Sequence, residues 1–226
     1  MADKLPTLVI GSKSWSSWSL RPWLLMRQMG LPFEEVVIPL RMPHSGEAIA
    51  RYSPTGKVPV LIDGGLVVPD SLAIAEYLAD RHPSLAVWPR DLRARAIARA
   101  VSAEMHSGFQ ALRQNCPMDI NATGLKPTDP ALIEADVRRI VASWLDCRAR
   151  FGAGGPFLFG EFSAADAMYA PVVSRIVSYD IDLGASGDSN GVARRYVETI
   201  SDLPALADWR ASAAREPQVS ALPASL

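Results

Sequence analysis

KVPVLIDGGLVVPDSLAIAEYLA, Lys57 to Ala79, packs two strand patterns, a turn and a helix start into one short run. The apolar segments Val58–Ile62 and Leu66–Val68 flank Asp63-Gly64-Gly65, and glycine supplies the positive φ angles of a tight hairpin. Pro59 falls inside the first segment, where it removes a ladder donor, so that strand is expected at a sheet edge or beside an irregularity. There it either guards an open edge against aggregation or leaves the preceding backbone free to pair with an extended peptide. Val68-Pro69-Asp70-Ser71 then leads into the helical periodicity of Ser71–Ala79. Asp70 or Ser71 there caps a helix. The same N–H groups can hold a ligand carboxylate, and Asp70 can take an ammonium.

Upstream, Thr7–Ile10 reads as a short buried strand and Phe33–Ile38 as a second one. Between them Pro22–Met29 reads as a helix, with Ser19 as its N-cap, Pro22 in its first turn and Gly30 as its stop. A loop at Pro43–Gly46 leads to a short helix at Glu47–Tyr52, which completes the order βαβαββα. Downstream the strands stop. Arg81 to Pro89 is a linker with two prolines. Amphipathic helical patterns follow at 92–115, 130–151, 163–179, 191–200 and 204–215. The chain is thus an α/β unit, residues 1–82, followed by an all-α unit, residues 83–226.

The 226 residues are 49% hydrophobic and 21% charged, with a net charge of −1 and a mean hydropathy of +0.09. Such a balance does not recruit nucleic acid or an anionic membrane. No run approaches the length of a membrane span or carries a signal-peptide pattern. Cys116 and Cys147 cannot form a disulfide framework, and His44, His82 and His106 lack ligand spacing, so a cytoplasmic protein without a metal is expected.

The join between the first strand and the first helix reads SKSWSSWSLRPW, Ser12 to Trp23. A helix start offers free N–H groups to anions. Capping needs one hydroxyl, and this turn offers Ser14, Ser16, Ser17 and Ser19. The surplus points to a ligand with negative charge, although serine-rich turns are also ordinary loop chemistry.

Together, the hydroxyl-bearing turn, the proline-preceded hairpin and the Asp-Ser helix start resemble the thioredoxin-like domain of the glutathione transferases. The helical remainder fits that family too. Gly160-Glu161-Phe162-Ser163-Ala164-Ala165-Asp166 is similar to its second-domain capping box, with Ser163 as cap and Asp166 reciprocating. Ser16-Ser17-Trp18-Ser19-Leu20-Arg21 is most similar to the zeta-class SSCSxR signature, with Trp18 where that class has cysteine. The resemblance implies glutathione as cosubstrate and a serine that stabilises its thiolate. A zeta-like alignment gives that role to Ser16 and a theta-like one to Ser17, with Ser16 preferred. Lys57, Val58 and a cis Pro59 would meet the cysteinyl part of the ligand. Asp70 and Ser71 would meet its γ-glutamyl end, where the family usually carries Glu or Gln in place of Asp70.

By the same resemblance the electrophile lies between the two units, near Met105, His106, Phe109, Arg113 and Cys116. Trp18, Arg21, His106 and Arg113 are its candidate contacts. His106 is read first as a polar packing residue, with an acid–base role as the alternative. Cys116 is read as an inert thiol. The implied activity is glutathione transfer to a small electrophile, a detoxification chemistry, in a homodimer. The alternatives are a glutathione-dependent isomerase acting on a maleylacetoacetate-like diacid, with Arg21 and Arg113 on its carboxylates, and a non-catalytic interaction module on the same fold.

Overall fold

The computed structural model describes residues 4–217. Strand β1, Thr7–Gly11, is followed by helix α1, Ser17–Gln28; β2 is Glu34–Ile38 and α2 is Ser45–Ala50. The hairpin strands are β3, Val60–Asp63, and β4, Leu66–Pro69, and α3, Ser71–Arg81, closes the βαβαββα unit. The sheet order is β2-β1-β3-β4, with β1 parallel to β2 and antiparallel to β3. Alternation along β1 sends Leu8 and Ile10 into the main core with α1 and α3. Val9 goes to a smaller core on the opposite face, with Ile38, Ile49 and Val60.

Two expectations are corrected here. The strand after Pro59 is not an edge, because β3 lies between β1 and β4. Val60 is the first residue in its ladder, so the proline stands just outside and no pairing is lost. The first helix also begins earlier than Pro22. Ser16 is its N-cap, accepting from the Ser19 N–H at 3.3 Å, and Pro22 sits beyond the first turn.

The remainder is helical: α4 Leu92–Ser107, α5 Gln110–Asn115, α6 Pro130–Phe151, α7 Ala164–Ser178, α8 Val192–Ser201 and α9 Pro204–Ala213. The pattern at 92–115 is therefore two helices. Gly108 separates them because a Cβ there would stand 2.8 Å from the Glu104 carbonyl oxygen, and Phe109 turns the chain with a φ of 57°. Helix α7 is apolar nearly all round and packs against both α1 and α4, so it joins the helical layer to the sheet unit. Its start is held as the sequence implies. The Asp166 carboxylate accepts from the Ser163 N–H at 2.9 Å, with further donors in the Ser163 hydroxyl, the Leu158 N–H and the Tyr196 hydroxyl. Among the described residues no helix is long and apolar enough to cross a membrane.

Candidate functional site

The starts of α1 and α3, the loop before β3 and one residue of α4 surround a cleft of about 720 Å³. Ser16, Ser17, Trp18, Lys57, Val58, Pro59, Asp70, Ser71 and His106 all line it, so the topology gathers nearly every residue singled out in the sequence.

The two serines differ. The Ser16 hydroxyl is spent on structure, since it donates to Ser19 Oγ at 2.7 Å while capping the helix. Ser19 Oγ in turn accepts from the Gly11 N–H at 3.0 Å, which fastens α1 to the end of β1. Ser17 is the first residue of α1, and its hydroxyl has no protein partner among the described residues. The first turn of α1 contains no acidic side chain, so the positive end of its dipole is not neutralised from within.

Opposite, the Val58–Pro59 peptide is cis, and the Val58 N–H has no backbone partner among the described residues. Pro59 and Ser71 are buried and Lys57 is exposed. Arg21 donates to Ser71 Oγ at 3.3 Å, which leaves the serine's own proton free to point into the cleft. Asp70 caps α3 with one oxygen, accepting from Leu72 N–H at 2.8 Å and Ala73 N–H at 3.2 Å. Its other oxygen lies 2.6 Å from His106 Nε2. Burial pushes the Asp70 carboxyl up, but the hydrogen bonds from His106, Ala73 and Leu72 outweigh it and hold it below the usual range.

Trp18 does two things at once. It lines the cleft and it stacks behind on two guanidiniums, with Arg21 at 4.1 Å and Arg113 at 4.6 Å from the ring centre. His106 meets the same indole edge-on at 5.1 Å. Arg21 is only 2% exposed, and Arg113 turns to the carbonyls of Met105 and His106. Neither guanidinium is among the residues lining the cleft, although Arg21 touches it through Ser71. Burial, then repulsion from Arg113 and Arg175, holds Arg21 well below the ordinary arginine range, with Asp70 partly offsetting this. Arg175, which the sequence reading did not single out, is pushed down to about 10 by burial and by Arg113.

Of the other expected electrophile contacts, Met105, Phe109 and Cys116 are core residues. Burial raises the Cys116 thiol to about 11, as befits an unreactive cysteine. Trp15 and Leu40, which the sequence reading did not single out, are among the residues lining the cleft. Arg41 stands over the Trp15 ring at 4.6 Å. The surplus of indoles in Ser12–Trp23 was the signal for Trp15.

Residues 15–81 match the family model "Glutathione S-transferase, N-terminal domain", and residues 130–212 match "Glutathione S-transferase, C-terminal domain". The chain is 26% identical over 208 residues to a probable maleylacetoacetate isomerase of Caenorhabditis elegans, covering 91% of this chain and 92% of that protein. Glutathione S-transferase theta-1 of Mus musculus is 34% identical over 96 residues, 42% of this chain and 39% of that one. Among solved structures, a glutathione transferase homolog from Burkholderia with bound glutathione superposes with a TM-score of 0.70 at 22% identity, covering 94% of this chain and 100% of that one.

Proposed function

Because the chain belongs to the glutathione S-transferase family, we propose that it transfers glutathione to a small electrophile and that Ser17 stabilises the thiolate. The observation that carries this reading is the uncommitted Ser17 hydroxyl at the start of α1, whose own first turn carries no acidic side chain. A free thiol has a pKa of about 8.5, so little of it is thiolate at neutral pH. A serine hydroxyl is too weak an acid to serve as the base. As a hydrogen-bond donor it favours the charged sulfur, and the α1 dipole adds to the effect. The thiol proton leaves to solvent, the sulfur lone pair forms the new bond to the electrophile, and the leaving group departs with its electrons. Lowering the thiol pKa by roughly two units corresponds to about 3 kcal/mol of thiolate stabilisation.

The remaining lining residues bind the tripeptide. The Val58 backbone before cis-Pro59 pairs with the cysteinyl part, and Lys57 adds positive charge at the rim. Ser71 donates to the γ-glutamyl carboxylate, its oxygen being occupied by Arg21. Asp70 meets the ammonium with the oxygen it shares with His106. Ser16 supports this arrangement as the cap.

The test is the ultraviolet absorbance of bound glutathione thiolate at neutral pH. Wild type shows it, Ser17→Ala loses it, and Ser16→Ala retains it with a lower melting temperature. Loss in Ser16→Ala with retention in Ser17→Ala would reverse the assignment. Absence of glutathione binding at millimolar concentration would point to the non-catalytic interaction module.

Glutathione-dependent isomerisation of a maleylacetoacetate-like diacid is the second reading. It is favoured by the relative that covers nine-tenths of this chain. Turnover of that diacid well above conjugation of an aryl halide would establish it, and comparable rates would exclude it. We carry the division near residue 82, a cytoplasmic location, detoxification and a homodimer as parts of the same reading. For the homodimer, edge strand β4 exposes Leu66 and Val67, and Leu92 at the start of α4 is 70% exposed. Light scattering would test it.

A further inference from the structure

The turn that carries the serines is braced from the far end of the chain. Beyond α9 the backbone turns once more, with the Glu216 N–H bonded to the Ala213 carbonyl at 3.0 Å. This brings the Glu216 carboxylate over Lys13 and Ser14. One oxygen accepts from the Lys13 N–H at 2.5 Å. The other accepts from the Ser14 N–H at 3.0 Å and from the Ser14 hydroxyl at 2.7 Å. Successive backbone N–H groups turned to one side form an anion-binding concavity, and here a side chain of the same molecule fills it.

We propose that Glu216 is a positioning residue for the serine turn, fixing through Lys13 and Ser14 the place where Ser16 and Ser17 stand. The inference rests on the thiolate-binding reading above. Within the turn, the Trp15 and Ser16 N–H groups bond back to the Ser12 carbonyl at 3.2 and 2.9 Å. Lys13 and Ser14 thus form the outer arc of the loop whose inner end starts α1. Their carbonyls are tied as well, Lys13 to the Trp209 indole N–H at 2.9 Å and Ser14 to the Ile120 N–H at 3.1 Å. Without Glu216 the two N–H groups and the Ser14 hydroxyl have no anion to converge on. The Lys13 ammonium stays on Glu35 and Ser212, while the Ser14 hydroxyl keeps only the Ala213 carbonyl at 3.4 Å, so the Ser14 end of the arc, the end next to the serines, is the part released. A hydrogen bond from Ser17 to sulfur tolerates only a few tenths of an ångström. Misplacement of a reacting group by about 1 Å can cost a hundredfold in rate.

The sign of the effect separates positioning from simple charge. Removing an anion near a thiolate by itself raises the thiolate fraction, whereas losing the donor's position lowers it. The measurement is thiolate difference absorbance at neutral pH, with full-length wild type and Glu216→Ala saturated with glutathione. Sodium acetate is then titrated in at constant ionic strength against sodium chloride. We expect the signal to fall about tenfold in Glu216→Ala, with glutathione affinity changed less than threefold. Acetate should restore the signal by occupying the vacated concavity, and chloride should not. An unchanged or increased signal overturns the proposal. So does a loss that acetate fails to restore, or one that follows glutathione affinity downward. If Glu216→Ala does not fold, Glu216→Gln serves: a fall with affinity retained supports the proposal, and a wild-type signal overturns it. Absence of the signal in the wild-type protein would count against the thiolate reading itself, which keeps the two failures apart.

Discussion

Asp70 caps α3 from a backbone conformation that suits glycine, with φ 80° and ψ 139°. An L-residue held there costs about 1–3 kcal/mol. Replacing it separates strain from side-chain chemistry. Asp70→Ala keeps the strain and loses the cap, worth about 1 kcal/mol. It also loses the pairing with His106, whose side chains are 41% and 28% exposed and which is therefore worth only about 0.5 kcal/mol. Asp70→Gly loses the same contacts, but glycine at an N-cap replaces Asp at little loss, and the strain disappears. Its greater freedom in the unfolded chain takes back about 0.5–1 kcal/mol. The alanine variant should therefore be less stable than wild type by about 1.5 kcal/mol, and the glycine variant should lie within about 1 kcal/mol of it. For a chain of this size a gap of that order between the variants is roughly 5 °C in melting temperature. Urea and thermal unfolding of both variants would measure it. On the proposed binding mode, in which Asp70 meets the ligand's ammonium, calorimetry with glutathione should show about a tenfold loss of affinity in each. Equal destabilisation by Ala and Gly would refute the strain argument.

Two further outcomes can be measured. Burial pushes the Asp166 carboxyl up to about 6, against the opposing bonds from Leu158, Ser163 and Tyr196, so the folded protein holds this proton more tightly than the unfolded chain does. Its contribution is therefore fully present below about pH 4 and is lost, by about 3 kcal/mol, as pH rises through the folded value. The stability gap between wild type and the non-titrating Asp166→Asn should narrow from pH 4 to 7 in urea unfolding; a widening gap would show that the four donors outweigh burial. Separately, Glu35→Gln removes the counter-charge of the Lys13 ammonium, which is buried, paired with Glu35 at 2.7 Å and otherwise bonded to the Ser212 hydroxyl at 3.2 Å. A loss of about 3 kcal/mol is expected, and one below about 1 kcal/mol would mean that the Trp23 and Trp209 rings and the Ser212 hydroxyl suffice to hold the cation.

Local chemistry made the βαβαββα order readable. The Asp63-Gly64-Gly65 turn, the period-two alternation of β1 and the Asp70-Ser71 cap each act within a few residues. The same locality misled at Pro59. Whether a strand is central depends on β1, which lies fifty residues earlier, and the sequence around Pro59 carries no trace of that pairing. At α1, Pro22 looked like a first-turn proline, yet the Ser16–Ser19 hydroxyl pair starts the helix five residues sooner. The cleft residues were found because they cluster at element starts, where free N–H groups collect. Arg175 and Glu216 were not, because the contacts that bring them to this region, to Cys116 and to Lys13 and Ser14, join groups far apart in the chain. That Arg21 and Arg113 both stack on Trp18 was not legible, since only packing brings the three side chains together.

The bond from the Trp209 indole to the Lys13 carbonyl spans 196 positions in the chain. A ribosome making roughly 5–20 residues per second adds the intervening chain over some ten seconds or more. Through that interval the sheet unit already has its strands and the Lys13 ammonium its Glu35, but the backbone N–H groups of Lys13 and Ser14 and the Lys13 carbonyl still lack their partners from the end of the chain. The serine turn is therefore among the last parts of the molecule to take its shape. The strands of the sheet unit are thus all synthesised well before the proposed thiolate site can be complete.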